Sequence, residues 1–368
     1  MQILFISRSF PPQKGGLEKV SFQLYTSLSQ KAKVRLIKWG GSKKWLFLVL
    51  PSFVFRSIWV ILSSKIDLVY LSDGVLSLLI PFLLIFKKPV VITIHGLDIS
   101  YKNKIYQAVI PKCVSLASKV ITVSKNTKKE CLKRGIPENK IQTVPNGFYD
   151  SFFIPSKDKQ SLKKSLSRRI NIDLFEKKVI LSAGRLIERK GINWFLNNSL
   201  PGIINKRKDT IYLIAGEGTM RKTIAETVKK LRLEKHTALL GKVSEDDLRI
   251  LYNLADLFVM PNIPVVGDLE GFGIVALEAA SCELPVVASD LEGIPEALAG
   301  GEAGILVPAR DGKKFERAIL AFLNNGLSCR EYGKKARRAV LSDFLWDKVI
   351  RGYLSVFRDT LNKANPNG

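Results

Sequence analysis

Two cationic side chains flank one predicted turn in the second half of the chain. Arg185 follows Gly184 at the end of an apolar run, and Lys190 precedes the next predicted helix. A guanidinium and an ammonium placed this way can bind a diphosphate, the guanidinium in a bidentate manner. Two solvated surface charges are the alternative interpretation.

The segment Glu270–Glu278, with the sequence EGFGIVALE, is a second candidate site. Its glycines end a predicted loop and begin a helix, so amide N–H groups there can bind an anion; the four residues concerned are Gly271, Phe272, Gly273 and Ile274. Glu278 lies about one turn inside the helix among apolar residues, where a carboxylate is costly unless it has a partner. Carboxylates accept hydrogen bonds from ribose in nucleotide sites, which favours a functional role.

Two turns in the first half carry further candidates. Gly15 and Gly16 precede a predicted helix, where free amide groups suit a phosphate or form an ordinary tight turn. His95 follows a predicted strand and precedes Gly96, at the edge where doubly wound sheets bind ligands. A purely structural histidine remains the alternative.

Short β-branched runs that alternate with helical stretches must position these residues. Such a rhythm predicts βαβ units on parallel sheets covered on both faces. The predicted strands are residues 2–7, 33–39, 67–72, 90–95, 119–124, 141–145, 179–184, 210–216, 237–241, 257–261, 285–290 and 304–308. The pattern pauses over residues 151–178, a charged stretch without apolar period, and resumes afterwards. We therefore expect two α/β domains in tandem.

The composition is that of a globular protein and excludes a disordered chain. The 368 residues carry a net charge of +25 and are 46% hydrophobic. Residues 1–178 hold 31 basic and 10 acidic side chains, whereas residues 179–368 hold 27 and 23. The basic first half suits an anionic partner: nucleic acid, an acidic membrane or a phosphorylated substrate. A lysine-rich surface without a partner is the alternative.

The remaining composition argues against a bound metal. Four dispersed cysteines and two histidines do not form a zinc pattern, and no Asp-x-Asp triplet offers a carboxylate clamp. The cysteines are typical of a reduced, cytoplasmic protein. The N-terminal residues predict a first strand rather than a signal peptide.

Residues 45–62 form an apolar stretch that contains Pro51 and Arg56. Three interpretations remain open: a helix buried against the first sheet, a helix partly embedded in a membrane surface, or a membrane span. Lys43 and Lys44 before it favour the interfacial version. Residues 75–86 are too short to span and are expected in the core.

These residues together resemble a retaining glycosyltransferase of family 4, with the GT-B fold. The resemblance rests on the Gly15-Gly16 loop, the turn 93–96, the segment 144–147, the basic turn 184–191 and the glutamate pair. It implies an α/β fold of two Rossmann-like doubly wound domains facing a cleft. The implied division is an acceptor-binding domain 1–155, a linker 156–178, a nucleotide-sugar-binding domain 179–342 and a C-terminal helix, 343–368, that crosses back to the first domain.

The resemblance also implies roles. Arg185 and Lys190 beside Gly184 hold the donor diphosphate, and Glu278 binds the ribose. Glu270 orients the sugar hydroxyls and His95 contacts the transferred sugar. The donor-binding residues also include the amides of 271–274 and the loop glycines, Gly15 and Gly16.

The implied activity is hexosyl transfer from a UDP- or GDP-sugar to a lipid-linked or other glycan acceptor, in cell-surface polysaccharide or glycolipid synthesis. Neither a metal nor a cofactor is expected. We expect a cytoplasmic enzyme, peripheral on the acidic cytoplasmic face of the membrane, without a nucleic-acid partner. The alternatives are a sugar-nucleotide epimerase or phosphorylase of the same fold, or a basic nucleic-acid-binding protein.

One departure from the family concerns the end of the helix that carries Glu278. The family often has glycine before the following proline, whereas this chain has Cys282-Glu283-Leu284-Pro285. The geometry of that helix end is therefore in question.

Overall fold

The computed structural model describes residues 1–13, 15–41, 45–149, 154–156, 158–170 and 172–364. Lys43 and Lys44 lie outside the described residues. The chain divides into two compact units. The first comprises Met1–Phe148, Val266–Phe272 and Phe344–Gly368, and the second comprises Tyr149–Val265 and Gly273–Asp343.

The first unit is built on a six-stranded parallel sheet. In chain order its strands are β1 Gln2–Ser7, β2 Lys33–Lys38, β3 Leu68–Leu71, β4 Val90–Ile94, β5 Lys119–Thr122 and β6 Ile141–Thr143. Their order in the sheet is β2-β1-β3-β4-β5-β6. Helices between them are α1 Gly16–Ser29, α2 Leu46–Ser63, α3 Ile80–Leu83, α4 Leu97–Ser100, α5 Lys104–Ser115 and α6 Lys125–Lys133. The fully buried strands β3 and β4 have the continuous apolar sequences that a sheet covered on both faces requires.

The second unit repeats this architecture. It begins with α7 Lys159–Ile170, and its strands are β7 Lys178–Ala183, β8 Thr210–Ala215, β9 Thr237–Gly241, β10 Leu257–Met260, β11 Val286–Asp290 and β12 Ile305–Pro308. The sheet order is β12-β11-β10-β7-β8-β9, and every pairing is parallel. The connecting helices are α8 Ile192–Asn198, α9 Leu200–Lys206, α10 Arg221–Lys230, α11 Glu245–Leu254, α12 Ile274–Ser281, α13 Ile294–Ala297, α14 Gly312–Asn324 and α15 Gly326–Phe344. The predicted α/β fold of two doubly wound sheets is confirmed.

The predicted linker is instead largely helical. Helix α7 carries apolar residues at four-residue spacing, Leu162, Leu166 and Ile170, and a partly buried ionic contact also holds it on the second unit. Lys159 Nζ and Lys163 Nζ lie 2.8 and 3.2 Å from the two carboxylate oxygens of Asp256. Although burial favours the neutral acid, these lysines lower the pKa of Asp256. The composition of the segment did not predict this helix.

The unit boundaries also differ from the predicted ones. Residues 266–272 group with the first unit, because Gly267 and Gly271 approach its main and side chains closely. The first unit ends at Phe148 rather than at residue 155.

The last helix, α16 Trp346–Ala364, packs on the first unit. Trp346 Nε1 donates to Gln23 Oε1 at 3.0 Å, and Tyr353 packs edge-on against Tyr70 of β3. A Cβ on Gly147 would come within 2.6 Å of the Trp346 ring. The helix thus covers one face of the first sheet with its buried apolar side.

Helix α2 buries only one side. Val49, Phe53 and Ile61 belong to the core of the first unit, whereas Phe55 and Trp59 are 73% and 70% exposed. Among the described residues, no helix is long and apolar enough to cross a membrane.

Helix α12 ends on a residue in the left-handed conformation. Glu283 has φ 58°, and Leu284 N donates to Ala279 O at 3.2 Å, which is the bond pattern of a Schellman motif. The helix therefore ends as a glycine would end it, although a glutamate occupies the position.

Replacing this glutamate by glycine should stabilise the second unit. Glu283→Gly removes the steric cost of the left-handed conformation, about 1 kcal/mol, and should raise the thermal midpoint by roughly 2–4 °C. Glu283→Gln keeps the strain and removes the charge, so it should leave the midpoint unchanged. Equal midpoints for both variants in calorimetry would contradict the strain.

Candidate active site

The turn after β7 carries both predicted diphosphate ligands. Gly184 has φ 137° and Gly191 has φ 65°, both in the region that favours glycine. Arg185 is exposed and Lys190 is half-buried at the end of a 3-10 turn. The glycines thus let the chain leave the strand and start α8 with both cations nearby.

The turns after β8 and β10 hold this turn from both sides. A Cβ on Gly216 would lie 1.8 Å from the carbonyl oxygen of Gly184, and one on Gly191 would lie 1.8 Å from that of Pro261. Main-chain bonds join the same turns: Gly184 N donates to Ala215 O, and Ile263 N donates to Arg189 O. The main chains of these turns are therefore in direct contact at Gly216 and Gly191, where no side chain would fit.

Arg185 and Lys190 line the same small pocket. Its other lining residues are Ser182, Ala183, Gly184, Ile192, Phe258, Val259, Met260, Pro261 and Asn262. The Lys190 Cε lies 3.8 Å from the position of a Cβ on Gly184. The structure thus brings together Gly184, Arg185 and Lys190 at the carboxyl ends of β7 and β10, where doubly wound sheets bind ligands.

Helix α12 places Glu278 one turn from its start. Gly273, with φ 96°, precedes Ile274, the first residue of the helix. The Glu278 side chain is buried, and Tyr252 Oη donates to its Oε2 at 3.1 Å. Burial and the adjacent Glu278 raise the pKa of Tyr252, which therefore stays a donor. Glu278 is thus a buried carboxylate held by a partner, as its position on an apolar helix requires.

His95 is oriented within the first unit by two contacts. Its Nε2 lies 2.9 Å from the carbonyl oxygen of Ser72, so the proton is on Nε2 because a carbonyl only accepts. Its main-chain N donates to Asp98 Oδ1 at 2.8 Å, and Gly74 N donates to Oδ2. Burial raises the pKa of Asp98, although His95 and the two amides act in the opposite direction.

The segment 266–272 brings Gly271 against His95. A Cβ on Gly271 would lie 1.7 Å from the His95 carbonyl oxygen, and one on Gly96 would lie 2.9 Å from the Gly271 Cα. Glu270 is buried beside this contact, and Phe272 packs against Phe344. The first unit therefore gathers His95, Glu270 and Gly271.

Gly15 and Gly16 are exposed at the start of α1. A Cβ on Gly16 would meet nothing within 4 Å, and Gly15 has an extended conformation. A Cβ on Gly15 would collide with the Glu18 carboxylate, so close packing accounts for Gly15 and does not explain Gly16. The predicted phosphate role of both glycines stays a prediction.

Comparisons with known proteins bear on this geometry. Residues 163–339 match the family model of glycosyl transferases group 1, and residues 14–151 match that of glycosyltransferase family 4. The chain belongs to the family 4, group 1 glycosyltransferases.

Two curated relatives illustrate the range of this family. An uncharacterised glycosyltransferase from Methanocaldococcus jannaschii is 30% identical over 244 residues, which are 65% of this chain and 59% of the relative. A GDP-mannose-dependent alpha-(1-6)-phosphatidylinositol monomannoside mannosyltransferase from Mycolicibacterium smegmatis is 24% identical over 94% of this chain and 95% of its own. The match thus spans 59% of the archaeal relative, and as little as 42% of other relatives.

Solved structures share the fold of this family 4 chain. HepE from Anabaena, in complex with UDP and glucose, has a TM-score of 0.77 at 17% identity, covering 97% of this chain and 99% of that one. This likeness supports the GT-B fold.

Sequence reasoning missed two features of this glycosyltransferase. Arg8 Nε donates to Asp73 Oδ1 at 2.7 Å, and both residues follow neighbouring strands, β1 and β3. The Asp73 carboxylate is fully buried, and its Oδ2 has no hydrogen-bond partner among the described residues. The position of Arg8 and Asp73 just after two predicted strands is the sequence feature that could have indicated this pair. The second missed feature is the pair Gly216 and Gly218 after β8, both of which permit close main-chain packing.

The contact at Gly216 predicts a large effect of a single methyl group. Gly216→Ala should destabilise the second unit by roughly 3 kcal/mol or more, because the turn after β7 must move. Gly300→Ala is the control, since Gly300 also has a positive φ but open space around it; it should cost about 1 kcal/mol. Chemical denaturation measures both. Equal losses would show that main-chain contact at Gly216 is unimportant.

Proposed function

We propose that this protein transfers a hexosyl unit from a UDP- or GDP-sugar to a lipid-linked or other anionic glycan acceptor, with retention of configuration. The observation that carries the proposal is the pocket of the second unit, which Arg185, Lys190 and the main chain of Gly184 line together. Two cations on one turn at the carboxyl ends of β7 and β10 suit the two phosphates of a nucleoside diphosphate bound at that edge of the sheet.

The chemistry assigned to this pocket is stabilisation of the leaving group. The bond between the sugar C1 and the diphosphate oxygen breaks, and its electron pair stays on the diphosphate. The acceptor oxygen bonds to C1, and its proton passes to the departing phosphate. Arg185 and Lys190 stabilise the charge that develops on the diphosphate, which is the kind of electrostatic help that dominates many enzymes.

The other candidate residues are assigned to the rest of the donor. Glu278 accepts from the ribose hydroxyls, and the hydrogen bond from Tyr252 fixes the orientation of its carboxylate. Glu270 and His95 contact the sugar, and the packing of Gly271 on His95 supports placing the two together. The amides of residues 271–274 assist in binding sugar and phosphate.

The relatives support the donor and acceptor classes. The mycobacterial relative is named for GDP-mannose and a phosphatidylinositol mannoside, and the Anabaena protein was crystallised with UDP. The basic residues 1–178 suit an anionic acceptor. We place the reaction at the cytoplasmic face of a membrane, in keeping with four free cysteines.

Removing either cation of the pocket should slow transfer. Arg185→Ala and Lys190→Ala should each reduce turnover by ~10²–10³ while leaving the thermal midpoint unchanged. Lys222→Ala is the control, because its side chain is 89% exposed on α10. Donors are first chosen by the thermal shift that UDP-, GDP- and ADP-sugars induce. Near-normal turnover in both pocket variants would refute the diphosphate role.

The same assay separates the alternative activities. Release of the nucleoside diphosphate should require an added glycan or lipid-linked acceptor. An epimerase would release nucleotide and free sugar without acceptor, and a phosphorylase would require inorganic phosphate. Either result would overturn the transferase proposal.

We also propose that transfer needs no metal ion, since Arg185 and Lys190 supply the positive charge that a divalent cation supplies in other transferases. Turnover should therefore be the same with EDTA as with added Mg²⁺ or Mn²⁺. Loss of turnover in EDTA that Mg²⁺ or Mn²⁺ restores would refute metal independence and leave the transferase proposal standing.

A further inference from the structure

Helix α2 is apolar on the side that faces away from the sheet. Its exposed large side chains are Leu48, Phe55, Trp59 and Leu62. They recur at spacings of seven, four and three residues, so they form one stripe along the helix. Its opposite side is buried in the core. A helix on the surface of a soluble domain normally turns mostly polar residues toward solvent, whereas this helix exposes four large apolar side chains beside Ser52, Arg56 and Ser63.

The neighbouring elements extend this stripe. Helix α2 packs against α3, and α3 packs against α5. Beside the stripe, Phe82 and Ile85 are exposed at α3, and Ile105 and Val109 are exposed on α5. We call these eight residues the apolar face. Single exposed apolar residues are ordinary, whereas a group on packed neighbouring elements marks an interaction surface.

The exposed charges of residues 46–116, the layer that contains the apolar face, are almost all positive. Residues 46–116 contain three acidic side chains, Asp67, Asp73 and Asp98. Asp73 is buried, Asp98 accepts from main-chain amides, and Asp67 accepts from Gln2 N. The exposed basic residues of the layer are Arg56, Lys65, Lys87, Lys102, Lys104 and Lys112. A partner for this surface must be apolar and carry negative charge.

We propose that the apolar face docks on an anionic lipid bilayer, with α2 lying in the plane of the interface. The aromatic and aliphatic side chains enter the boundary between headgroups and acyl chains, and the basic residues around them pair with lipid phosphates. A second copy of the chain fits less well, because it would bring two positively charged layers together. This proposal names the surface for the membrane location given under the proposed function and rests on that location, but not on the donor chemistry of the second unit.

Vesicle flotation of the full chain tests the proposal. At low salt, the protein should float with vesicles of phosphatidylglycerol and phosphatidylcholine, and far less with phosphatidylcholine alone. Phe55→Ser/Trp59→Ser should reduce the vesicle affinity at least about tenfold, because both side chains lose apolar burial in the interface. The control is Ile154→Ser/Phe175→Ser, two exposed apolar residues of the second unit, which should float as the wild type does. Thermal unfolding checks that all variants fold.

A charge variant separates the electrostatic part. Arg56→Gln/Lys87→Gln should weaken binding to the anionic vesicles, whereas Lys222→Gln/Lys313→Gln, exposed lysines of the second unit, should not. Wild-type flotation by Phe55→Ser/Trp59→Ser would overturn the proposal. So would light scattering that shows a dimer which this variant dissociates, because the face would then bind a second copy. Nucleotide-sugar turnover in detergent, measured on the same variants, should be unchanged.

Discussion

The pocket that Arg185 and Lys190 line depends on the close approach of three main-chain turns in the second unit. Strand β7 lies between β8 and β10 in the sheet, so the turn that follows β7 has a neighbour on each side. A Cβ at Gly216 or Gly191 would collide with a carbonyl oxygen of an adjacent turn. Because both positions are glycine, the three turns can pack closely and main-chain hydrogen bonds join them. Arg185 and Lys190 then line one pocket.

The two units use their charged residues differently. In the second unit, two carboxylates have cationic partners: Asp256 pairs with lysines of α7, and Glu316 pairs with Lys206 at 2.8 Å. Residues 1–178, most of which belong to the first unit, carry 31 basic and 10 acidic side chains. Part of the charge of the second unit is therefore structural, whereas the basic excess of residues 1–178 suits an anionic partner.

The sequence predicts the strands well, because apolar β-branched runs between turns have few other interpretations. All twelve predicted strands are present, each with ends within two residues of the prediction. It does not indicate the contact of the two α7 lysines with Asp256, because these residues lie far apart in sequence. Spacing within one segment cannot reveal such a contact.

The residues of the candidate site likewise fall into those that local sequence predicts and those that it does not. Local sequence features predict three of its residues. Arg185 and Lys190 lie beside glycines of one turn, and Glu278 lies on an apolar helix. Tyr252, the hydrogen-bond partner of Glu278, lies on the preceding helix and could not be predicted from such local features. The pairing of Arg8 with Asp73 likewise requires that β1 and β3 be neighbours, which only the sheet order establishes.

Helix α2 shows what mean hydropathy can and cannot predict. Its apolar sequence is compatible with burial, with an interface or with a span, since mean hydropathy does not say which side faces what. The structure resolves this by burying Phe53 and exposing Trp59 on opposite sides. The pocket of the second unit depends on close main-chain contacts, whereas the proposed docking of the apolar face depends on exposed side chains. The two can therefore be altered independently, since a change of side chain on α2 leaves the glycine contacts of the second unit intact.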